Sequence, residues 1–235
     1  MKNRTAKFSA ILAAGGSGTR FGGEINKVYL PLNGQTVIGV CMDKLLSSPL
    51  VAELICVYRK EDEELLLPVL EEKKAKSSKR ILAVPGGETR RASIYEGLKQ
   101  AQEDYVLVHD AARPFFAVKW IDDLAEALKS VSGASVALPS PDTVKITNEQ
   151  GLVLETTDRS RTWLVQTPQA FRRNVLLKAH QRVPSSVPVT DDCGMLEYCG
   201  FDVRLVPGGS ANQKLTAPED RALLCGNGQK TETDQ

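Results

Sequence analysis

The sequence lacks several features that would assign it to common protein classes. No apolar run approaches the roughly 20 residues of a membrane-spanning helix, so we expect no membrane partner. The five cysteines among 235 residues are an odd number without CxxC spacing. That pattern gives no zinc signal and favours free thiols in a reducing cytoplasm. A net charge of +1 argues against a nucleic-acid partner, because nucleic-acid-binding domains are usually strongly basic.

The sequence also lacks internal repeats and any sign of a second domain. The basic N-terminus runs into an apolar segment shorter than that of a secretory signal, and no cleavage site follows it. The chain is 42% hydrophobic, which is enough for one sizeable core. We therefore predict a single domain over residues 1–225, followed at 226–235 by a polar tail that we expect to be disordered.

Strand and helix patterns alternate along most of the chain. This alternation predicts an α/β fold with a doubly wound, mostly parallel sheet. The predicted strands are 10–14, 54–58, 81–84, 105–108, 134–138 and 203–206. The predicted helices are 37–46, 60–79, 93–101, 118–129, 173–181, 195–199 and 218–224.

The alternation breaks at about 139–166. Two short β-like pieces, TVKIT and LVLETT, flank the turn sequence NEQG there, which predicts a β-hairpin. The hairpin is either an arm that reaches a second subunit or an edge hairpin on its own subunit. The pattern alone leaves both possibilities open.

A glycine-rich loop follows the first predicted strand, with the sequence AGGSGTRFGG. Gly15, Gly16 and Gly18 carry no Cβ, so backbone N–H groups there can close on a phosphate. Arg20 and Lys27 lie a few residues downstream, where their charges can reach a polyphosphate. The loop predicts a nucleoside-triphosphate site, and an incidental glycine-rich surface loop is the alternative.

This loop matches neither of the two best-known glycine motifs. It has no lysine followed by Ser or Thr at the position that a P-loop requires. The dinucleotide fingerprint needs a third glycine where this sequence has Phe21. The loop is therefore neither ATPase-like nor plainly typical of NAD-binding proteins.

Two further motifs follow predicted strands, and ligands bind at the carboxyl ends of strands in such sheets. In GGETRRAS (86–93), the glycines permit close approach to a planar base. Ser93 there can donate to a base carbonyl or can serve only as a helix cap. In HDAARP (109–114), Asp110 could bind a metal-bridged phosphate or a sugar hydroxyl. Arg113 could clamp a phosphate or pair with Asp110, and His109 is predicted to be structural.

Smaller polar motifs are spread over the second half of the chain. They supply hydroxyls and cations suited to a phosphorylated polyol. They are DTVK (142–145), DR (158–159), QTPQ (166–169), TDD (190–192) and NQKLT (212–216). A Thr-Asp-Asp sequence is usually a helix N-terminus, so Asp192 is predicted to be an N-cap.

Taken together, these motifs resemble one family over nearly the whole chain, the 2-C-methyl-D-erythritol 4-phosphate cytidylyltransferases. The residues that carry the resemblance are AGGSGTRFG, NK at 26–27, GGETRRAS, VHDAARPF, DTVK, TDR, QTPQAF, TDD, EYCGF and NQKLT followed by PED. The resemblance implies a doubly wound sheet and a homodimer. It also implies the transfer of a cytidylyl group from CTP to the polyol phosphate, with Mg²⁺ and release of pyrophosphate.

The resemblance also implies a role for individual residues. Arg20 and Lys27 match the pair that stabilises the transition state. The nucleotide contacts would be Ala14, Gly15, Gly16, Gly18, Gly86, Glu88 and Ser93. The sugar-phosphate contacts would be Asp110, Arg113, Thr143 and Lys214, with Asp110 as a possible Mg²⁺ ligand, while Arg159 and Thr167 would reach the neighbouring subunit's site from the arm.

Departures from the family pattern leave its charges in place. Asn26 stands where Pro is frequent, Glu88 where Asp is frequent, and Gln213 where Ile is usual. The nearest rival is a ribitol 5-phosphate cytidylyltransferase, and the Ala-Ala of HDAARP favours the methylerythritol family. A non-catalytic nucleotide-binding module is the alternative from another class. A larger sugar-1-phosphate nucleotidyltransferase would need an extra domain for which the chain lacks room.

Overall fold

The computed structural model describes residues 6–16, 25–216 and 218–220, which contain eleven strands and six α-helices. The strands are β1 Phe8–Ala13, β2 Pro31–Leu32, β3 Gln35–Thr36, β4 Val51–Tyr58, β5 Arg80–Pro85, β6 Tyr105–Asp110, β7 Gly133–Pro139, β8 Lys145–Thr147, β9 Val153–Thr156, β10 Trp163–Arg172 and β11 Val203–Pro207. The helices are α1 Val37–Ser47, α2 Glu63–Lys76, α3 Arg90–Gln100, α4 Trp120–Ala127, α5 Arg173–Arg182 and α6 Asp192–Tyr198.

Seven strands form one sheet in the order β11-β7-β10-β6-β1-β4-β5. β10 is antiparallel to both of its neighbours, β6 and β7. The remaining pairs are all parallel, so six strands run one way and β10 runs the other. The prediction of a mostly parallel α/β sheet is confirmed. The carboxyl ends of the six strands share one edge of the sheet with the amino-terminal half of β10.

The sheet is covered by helices on both faces. α1, α2 and α4 contribute to one buried hydrophobic cluster, and α3, α5 and α6 contribute to the other. In β1, Ala10 and Leu12 belong to the first cluster and Ile11 to the second. A strand buried on both faces has no polar side, which explains its continuous apolar run. The doubly wound arrangement is therefore confirmed.

The secondary structure differs from the prediction in two places. The chain from Trp163 to Arg172 was not predicted as a strand, yet it forms the longest one. Proline is disfavoured in central strands, and here Pro168 lies where the pairing with β7 shifts register between Val165 and Gln169. The helix predicted at 60–79 instead begins with a 3₁₀ turn at Lys60–Asp62 and continues as α2.

The predicted hairpin is present. β8 and β9 pair with each other as a separate two-stranded antiparallel sheet. Every residue of both strands is exposed. Its role as an arm to a second subunit remains a prediction.

The last predicted helix is only partly described. Pro218–Asp220 form a 3₁₀ turn, whereas residues 221–224 and the tail predicted at 226–235 lie outside the described residues. Among the helices in the described ranges, none has the length and apolar character needed to cross a membrane.

Candidate active site

One cavity of about 670 Å³ opens at the carboxyl edge of the sheet. It is formed by the segments that follow β1, β4, β5 and β6, together with Lys214 from the C-terminal region. Of the predicted site residues, those that line it are Ala14, Gly15, Gly16, Lys27, Gly86, Glu88, Ser93, Asp110 and Lys214. The fold thus brings both predicted nucleotide-binding motifs to one cavity, together with part of the predicted polyol-binding set.

The beginning of the glycine loop is tied to the sheet. The N–H of Ala14 donates to the carbonyl of Val57 at 2.8 Å, which extends the pairing of β1 with β4 by one residue. A Cβ added to Gly15 would lie 3.3 Å from the Ser93 hydroxyl, whereas one added to Gly16 would meet no atom of the described residues within 4 Å. The space beside Gly16 belongs to the cavity.

Gly86 and Gly87 allow helix α3 to approach the end of β5. A Cβ on Gly86 would lie 2.6 Å from the Ser93 hydroxyl, and one on Gly87 would lie 2.6 Å from the Ala92 Cβ. Ser93 is buried within α3, and its hydroxyl donates to the Gly87 carbonyl at 3.1 Å. The alternative that Ser93 caps the helix is wrong, because Thr89 is the N-cap and accepts from the Ala92 N–H.

Asp110 lies between two cations at the end of β6. Its Oδ2 accepts from the Lys214 ammonium at 2.6 Å, and its Oδ1 lies 3.4 Å from the Nε of Arg90. Burial alone would raise the pKa of the Asp110 carboxyl, but the charges of Arg90 and Lys214 outweigh burial and hold that pKa below its usual range. Asp110 is therefore an anion at neutral pH and fixes two positive side chains beside the cavity.

Arg90 also pairs with a second, deeper carboxylate. Its guanidinium donates to Asp192 Oδ2 at 2.7 Å, and the Asp192 side chain is fully buried. Burial would raise the pKa of Asp192, but the charge of Arg90 lowers it overall. The prediction that Asp192 is an N-cap is wrong. Asp191 is the cap and accepts from the Gly194 N–H, while Asp192 begins α6 and turns inward to Arg90.

The backbone of Asp110 is held from behind by β10. The Thr167 hydroxyl accepts from the Asp110 N–H at 3.1 Å and also contacts His109 Nδ1 at 3.1 Å. His109 Nε2 lies 3.0 Å from the Arg113 carbonyl, and burial lowers the pKa of this histidine to about 4. The structural role predicted for His109 is confirmed. Thr167 lies in the sheet of its own chain and contacts Asp110 there, rather than lying on the arm.

Arg113 holds the segment that carries Lys214. Its guanidinium donates to the Asn212 carbonyl at 2.8 Å, and no ion pair with Asp110 is found among the described side chains. The amide of Asn212 donates to the Gln166 side chain and to the Thr167 carbonyl, each at 2.9 Å. These contacts fix the chain just before Lys214. The structure thus gives Arg113 a positioning role, and its predicted phosphate contact stays a prediction.

The remaining predicted residues lie away from the cavity or outside the described residues. Thr143 is exposed on the connection from β7 into the hairpin. Arg159 is exposed on the 3₁₀ turn Arg159–Arg161, which follows the hairpin. Gly18 and Arg20 lie outside the described residues. Lys27 is carried on the 3₁₀ turn Lys27–Tyr29 and lines the cavity.

Sequence reasoning missed several residues that line this cavity. Arg59, Lys60 and Glu61 follow β4 and form part of its wall. Their signal was available, because β4 was predicted and polar residues at the carboxyl end of a strand are candidates in this fold. Arg90 belongs to the GGETRRAS motif, but nothing in the sequence distinguishes it from its neighbour Arg91. Arg91 instead donates to the carbonyls of His180 and Pro184 at the end of α5.

The residues around Asp110 fit a magnesium ion that is held mainly by phosphates. No group of three His, Cys, Asp or Glu side chains that could hold a metal occurs in the part of the chain that the structure describes. Among the contacts between described residues, the Oδ1 of Asp110 has a long one with Arg90, which leaves a lone pair for coordination. Mg²⁺ commonly binds one or two carboxylates and takes its other ligands from substrate phosphates and water.

Comparisons with known proteins agree on one family. A model of the 2-C-methyl-D-erythritol 4-phosphate cytidylyltransferase family matches residues 8–224. The protein of that name from Desulforamulus reducens is 37% identical over 218 residues, which cover 91% of this chain and 92% of the relative. The corresponding protein from Pelotomaculum thermopropionicum is 38% identical over 218 residues, with 91% of both chains covered.

The fold agrees with solved structures as well. The crystal structure of 4-diphosphocytidyl-2C-methyl-D-erythritol synthase from Anaerococcus prevotii superposes with a TM-score of 0.82 at 32% identity, over 94% of this chain and 95% of the other. The crystal structure of 2-C-methyl-D-erythritol 4-phosphate cytidylyltransferase from Thermus thermophilus gives a TM-score of 0.74 at 28% identity, over 93% and 97% of the two chains. With this sheet, this cavity and these relatives, the chain belongs to the 2-C-methyl-D-erythritol 4-phosphate cytidylyltransferase family.

Proposed function

We propose that the chain transfers the cytidylyl group of CTP to 2-C-methyl-D-erythritol 4-phosphate. The products are pyrophosphate and 4-diphosphocytidyl-2-C-methyl-D-erythritol, an intermediate of non-mevalonate isoprenoid biosynthesis. Family membership supports this reaction. The observation that carries it is a single cavity with a glycine loop and Lys27 on one side and the Asp110–Lys214 pair on the other.

The reaction does not need a nucleophilic side chain. The phosphate of the polyol attacks the α-phosphorus of CTP in line, and pyrophosphate leaves. A phosphate monoester is mostly ionised near neutral pH, so a general base is not demanded. Catalysis then consists of bringing two anions together and stabilising charge on the phosphoryl oxygens.

The residues divide between the two substrates. The backbone at 14–16 approaches the phosphates of CTP, and Gly86, Glu88 and Ser93 lie where its base and ribose bind. Lys27, together with Arg20, stabilises the charge that develops at the α-phosphorus. Lys214 contacts the polyol phosphate from its position beside Asp110.

Magnesium would be held by Asp110 and by the phosphates of CTP. When bound, the ion neutralises charge on the triphosphate and assists the departure of pyrophosphate. The chain itself orients Asp110 through the Thr167 hydroxyl, Arg90 and Lys214.

The hairpin supports a homodimer in which each arm completes the partner's site. Six large apolar side chains on the hairpin and on the start of β10 are between 44% and 67% exposed, namely Ile146, Leu152, Val153, Leu154, Leu164 and Val165. An exposed apolar cluster of this kind commonly marks a protein–protein interface. In this dimer, Arg159 would reach the site of the second subunit. The four described cysteines are unpaired, which supports a reducing compartment such as the cytoplasm.

The decisive experiment is a pyrophosphate-release assay with Mg²⁺. It pairs each of four nucleoside triphosphates with 2-C-methyl-D-erythritol 4-phosphate and with ribitol 5-phosphate. We expect turnover with CTP and the methylerythritol phosphate, and much weaker turnover with every other pair. Equal or faster turnover with ribitol 5-phosphate would reassign the substrate. Calorimetric binding of CTP without turnover on either polyol would instead indicate a non-catalytic nucleotide-binding module.

A further inference from the structure

Asn26 occupies the position between the glycine loop and the turn that carries Lys27. Its side chain is 5% exposed. Its Nδ2 lies 2.8 Å from Asp62 Oδ2, 3.2 Å from the Gly16 carbonyl and 3.4 Å from the Ala14 carbonyl. Its Oδ1 accepts from the Val28 N–H at 3.4 Å. One amide therefore contacts the strand end, the glycine loop and the 3₁₀ turn of Lys27.

The chemistry of these neighbours fixes the orientation of the amide. All three groups around Nδ2 are acceptors, and a carbonyl oxygen could not bond to any of them. The NH₂ must therefore face Asp62 and the loop. One of its hydrogens goes to the carboxylate, and the two longer contacts share the other. The Oδ1 is left for the N–H of Val28, the second residue of the turn.

Asp62 is in turn held by Arg59. The guanidinium of Arg59 binds both carboxylate oxygens, at 2.8 Å from Nε and 2.6 Å from Nη2. Such a two-point pair fixes the plane of a carboxylate as well as its position. Asp62 is 4% exposed, so water competes little for the oxygen that receives the Asn26 hydrogen. The carboxylate therefore presents a fixed acceptor to Asn26.

We propose that Asp62, held by Arg59, is a positioning residue that sets the catalytic placement of Lys27 and Gly16 through the Asn26 amide. The proposal rests on the proposed function, since Lys27 acts there on the reacting phosphate. A misplacement of a catalytic cation by about 1 Å can cost a hundredfold in rate. Asp62 lies in the connection between β4 and α2. A segment that follows the strand beside β1 therefore helps to position Gly16 and the turn of Lys27.

The chain offers a matched control at the other end of β4. Glu53 is 3% exposed and is also paired with an arginine, Arg80, while it accepts from the Ser9 hydroxyl and the Gln102 N–H. It lies at the amino-terminal end of the strand, away from the cavity. Its loss should lower stability as the loss of Asp62 does. It should not move Lys27.

The experiment compares Asp62→Ala, Asp62→Asn, Asn26→Ala, the Asn26→Ala/Asp62→Ala double variant and Glu53→Ala. Thermal stability, kcat, KM and the calorimetric affinity for CTP are measured for each. We expect kcat to fall about tenfold or more in Asp62→Ala, whereas Glu53→Ala stays within about twofold despite a similar loss of stability. Asp62→Asn keeps an acceptor oxygen and should retain several-fold more kcat than Asp62→Ala. Because the two residues act in series, the double variant should be no slower than Asn26→Ala.

Two outcomes would overturn the proposal. One is a kcat in Asp62→Ala, or in Asp62→Asn if the alanine variant does not fold, that equals the value in Glu53→Ala. The other is a double variant in which the two kcat losses multiply. If the native chain transfers no cytidylyl group, the proposed function fails separately. The affinity for CTP then tests the contact between Asp62 and Asn26. We expect Asp62→Ala to bind CTP about fivefold more weakly than Glu53→Ala. Equal affinities would refute the proposal.

Discussion

Lys214 and Asp110 are 104 residues apart in sequence, yet their charged groups meet at 2.6 Å. The contact depends on Asn212, which binds the start of β10, and on the N–H of Leu215, which donates to the Ala112 carbonyl at 2.9 Å. The segment that carries Lys214 is therefore held against the end of β6, which carries Asp110.

Replacement of Lys214 by methionine should mainly weaken binding of the polyol phosphate. The variant keeps the length of the side chain but removes the charge that we assign to this phosphate. We expect KM for 2-C-methyl-D-erythritol 4-phosphate to rise by about tenfold or more, with a smaller change for CTP, since a charge-assisted hydrogen bond contributes about 1.5–3 kcal/mol. Steady-state pyrophosphate release gives both constants. A KM that rises only for CTP would move Lys214 to the nucleotide side.

Replacement of Lys27 by methionine should mainly lower kcat. Removing one preorganised donor to a transition state costs about a hundredfold or more in other enzymes, and Arg20→Ala should have an effect of the same order. Lys99→Met is the control, because Lys99 is exposed on α3 and pairs only locally with Glu96. Near-native turnover in both Lys27→Met and Arg20→Ala would refute their assigned roles.

Asp192 should make the protein sensitive to acid. The pKa of its carboxyl is lowered in the folded state, so below the ordinary value of about 3.9 the unfolded chain takes up a proton that the folded chain does not. The stability that this group contributes is therefore present above that pH and is lost as pH falls towards the folded pKa. Asp192→Asn should lower the free energy of unfolding by about 3 kcal/mol at neutral pH, because it removes the closer of the two carboxylates that pair with Arg90. Urea titrations at several pH values should also show a flatter acid limb for the variant, and parallel limbs would contradict the argument.

Charges placed on the hairpin should disrupt the proposed dimer. Leu152 and Leu154 are 67% and 66% exposed, so their replacement by glutamate costs little if nothing covers them and much if a second chain does. We expect Leu152→Glu/Leu154→Glu to change the mass measured by light scattering from dimer to monomer. Leu67→Glu on α2 is the control, since Leu67 is 45% exposed and lies outside the hairpin. A native chain that is monomeric at assay concentrations would refute the arm.

Mixed chains test whether the arm completes a neighbouring site. Arg159→Ala alone should mainly raise KM for the polyol phosphate. When inactive Lys27→Ala chains exchange with Arg159→Ala chains, each mixed dimer has one site with an intact Lys27 and an intact Arg159 from the other chain. Random exchange should therefore restore about a quarter of native activity. If mixing restores nothing, Arg159 does not act across the dimer.

The sequence predicts most of the sheet because buried parallel strands are mostly apolar. β1 and β4 contain such apolar runs, interrupted only by Ser9 and Glu53. It does not predict β10. That strand contains Pro168 and three polar residues near it, and its pairing with β6 and β7 depends on contacts distant in sequence. The local pattern of apolar and polar residues does not reveal pairing between distant segments.

The candidate site, too, can be predicted only in part from the sequence. The motifs after strand ends can be found from the sequence, because the fold brings all such ends to one edge. The sequence does not reveal which partner each side chain contacts. Arg90 and Arg91 are adjacent and chemically identical, and so are Asp191 and Asp192. Arg91 donates to backbone carbonyls at the end of α5 and Asp191 accepts from the Gly194 N–H, whereas Arg90 and Asp192 pair with each other behind Asp110.

The reversed direction of β10 has a consequence for how this chain can vary in length. The strand leaves the hairpin and enters the sheet beside Asp110, and side chains along a strand alternate between its two faces. Inserting a single residue between Trp163 and Gln166 would exchange Thr167 for a neighbour at the Asp110 N–H and undo that support. Insertions at the hairpin tip, around residues 148–152, do not change which side chains of β10 face Asp110. Natural length differences should therefore gather at the tip and be excluded from the start of β10, residues 163–166.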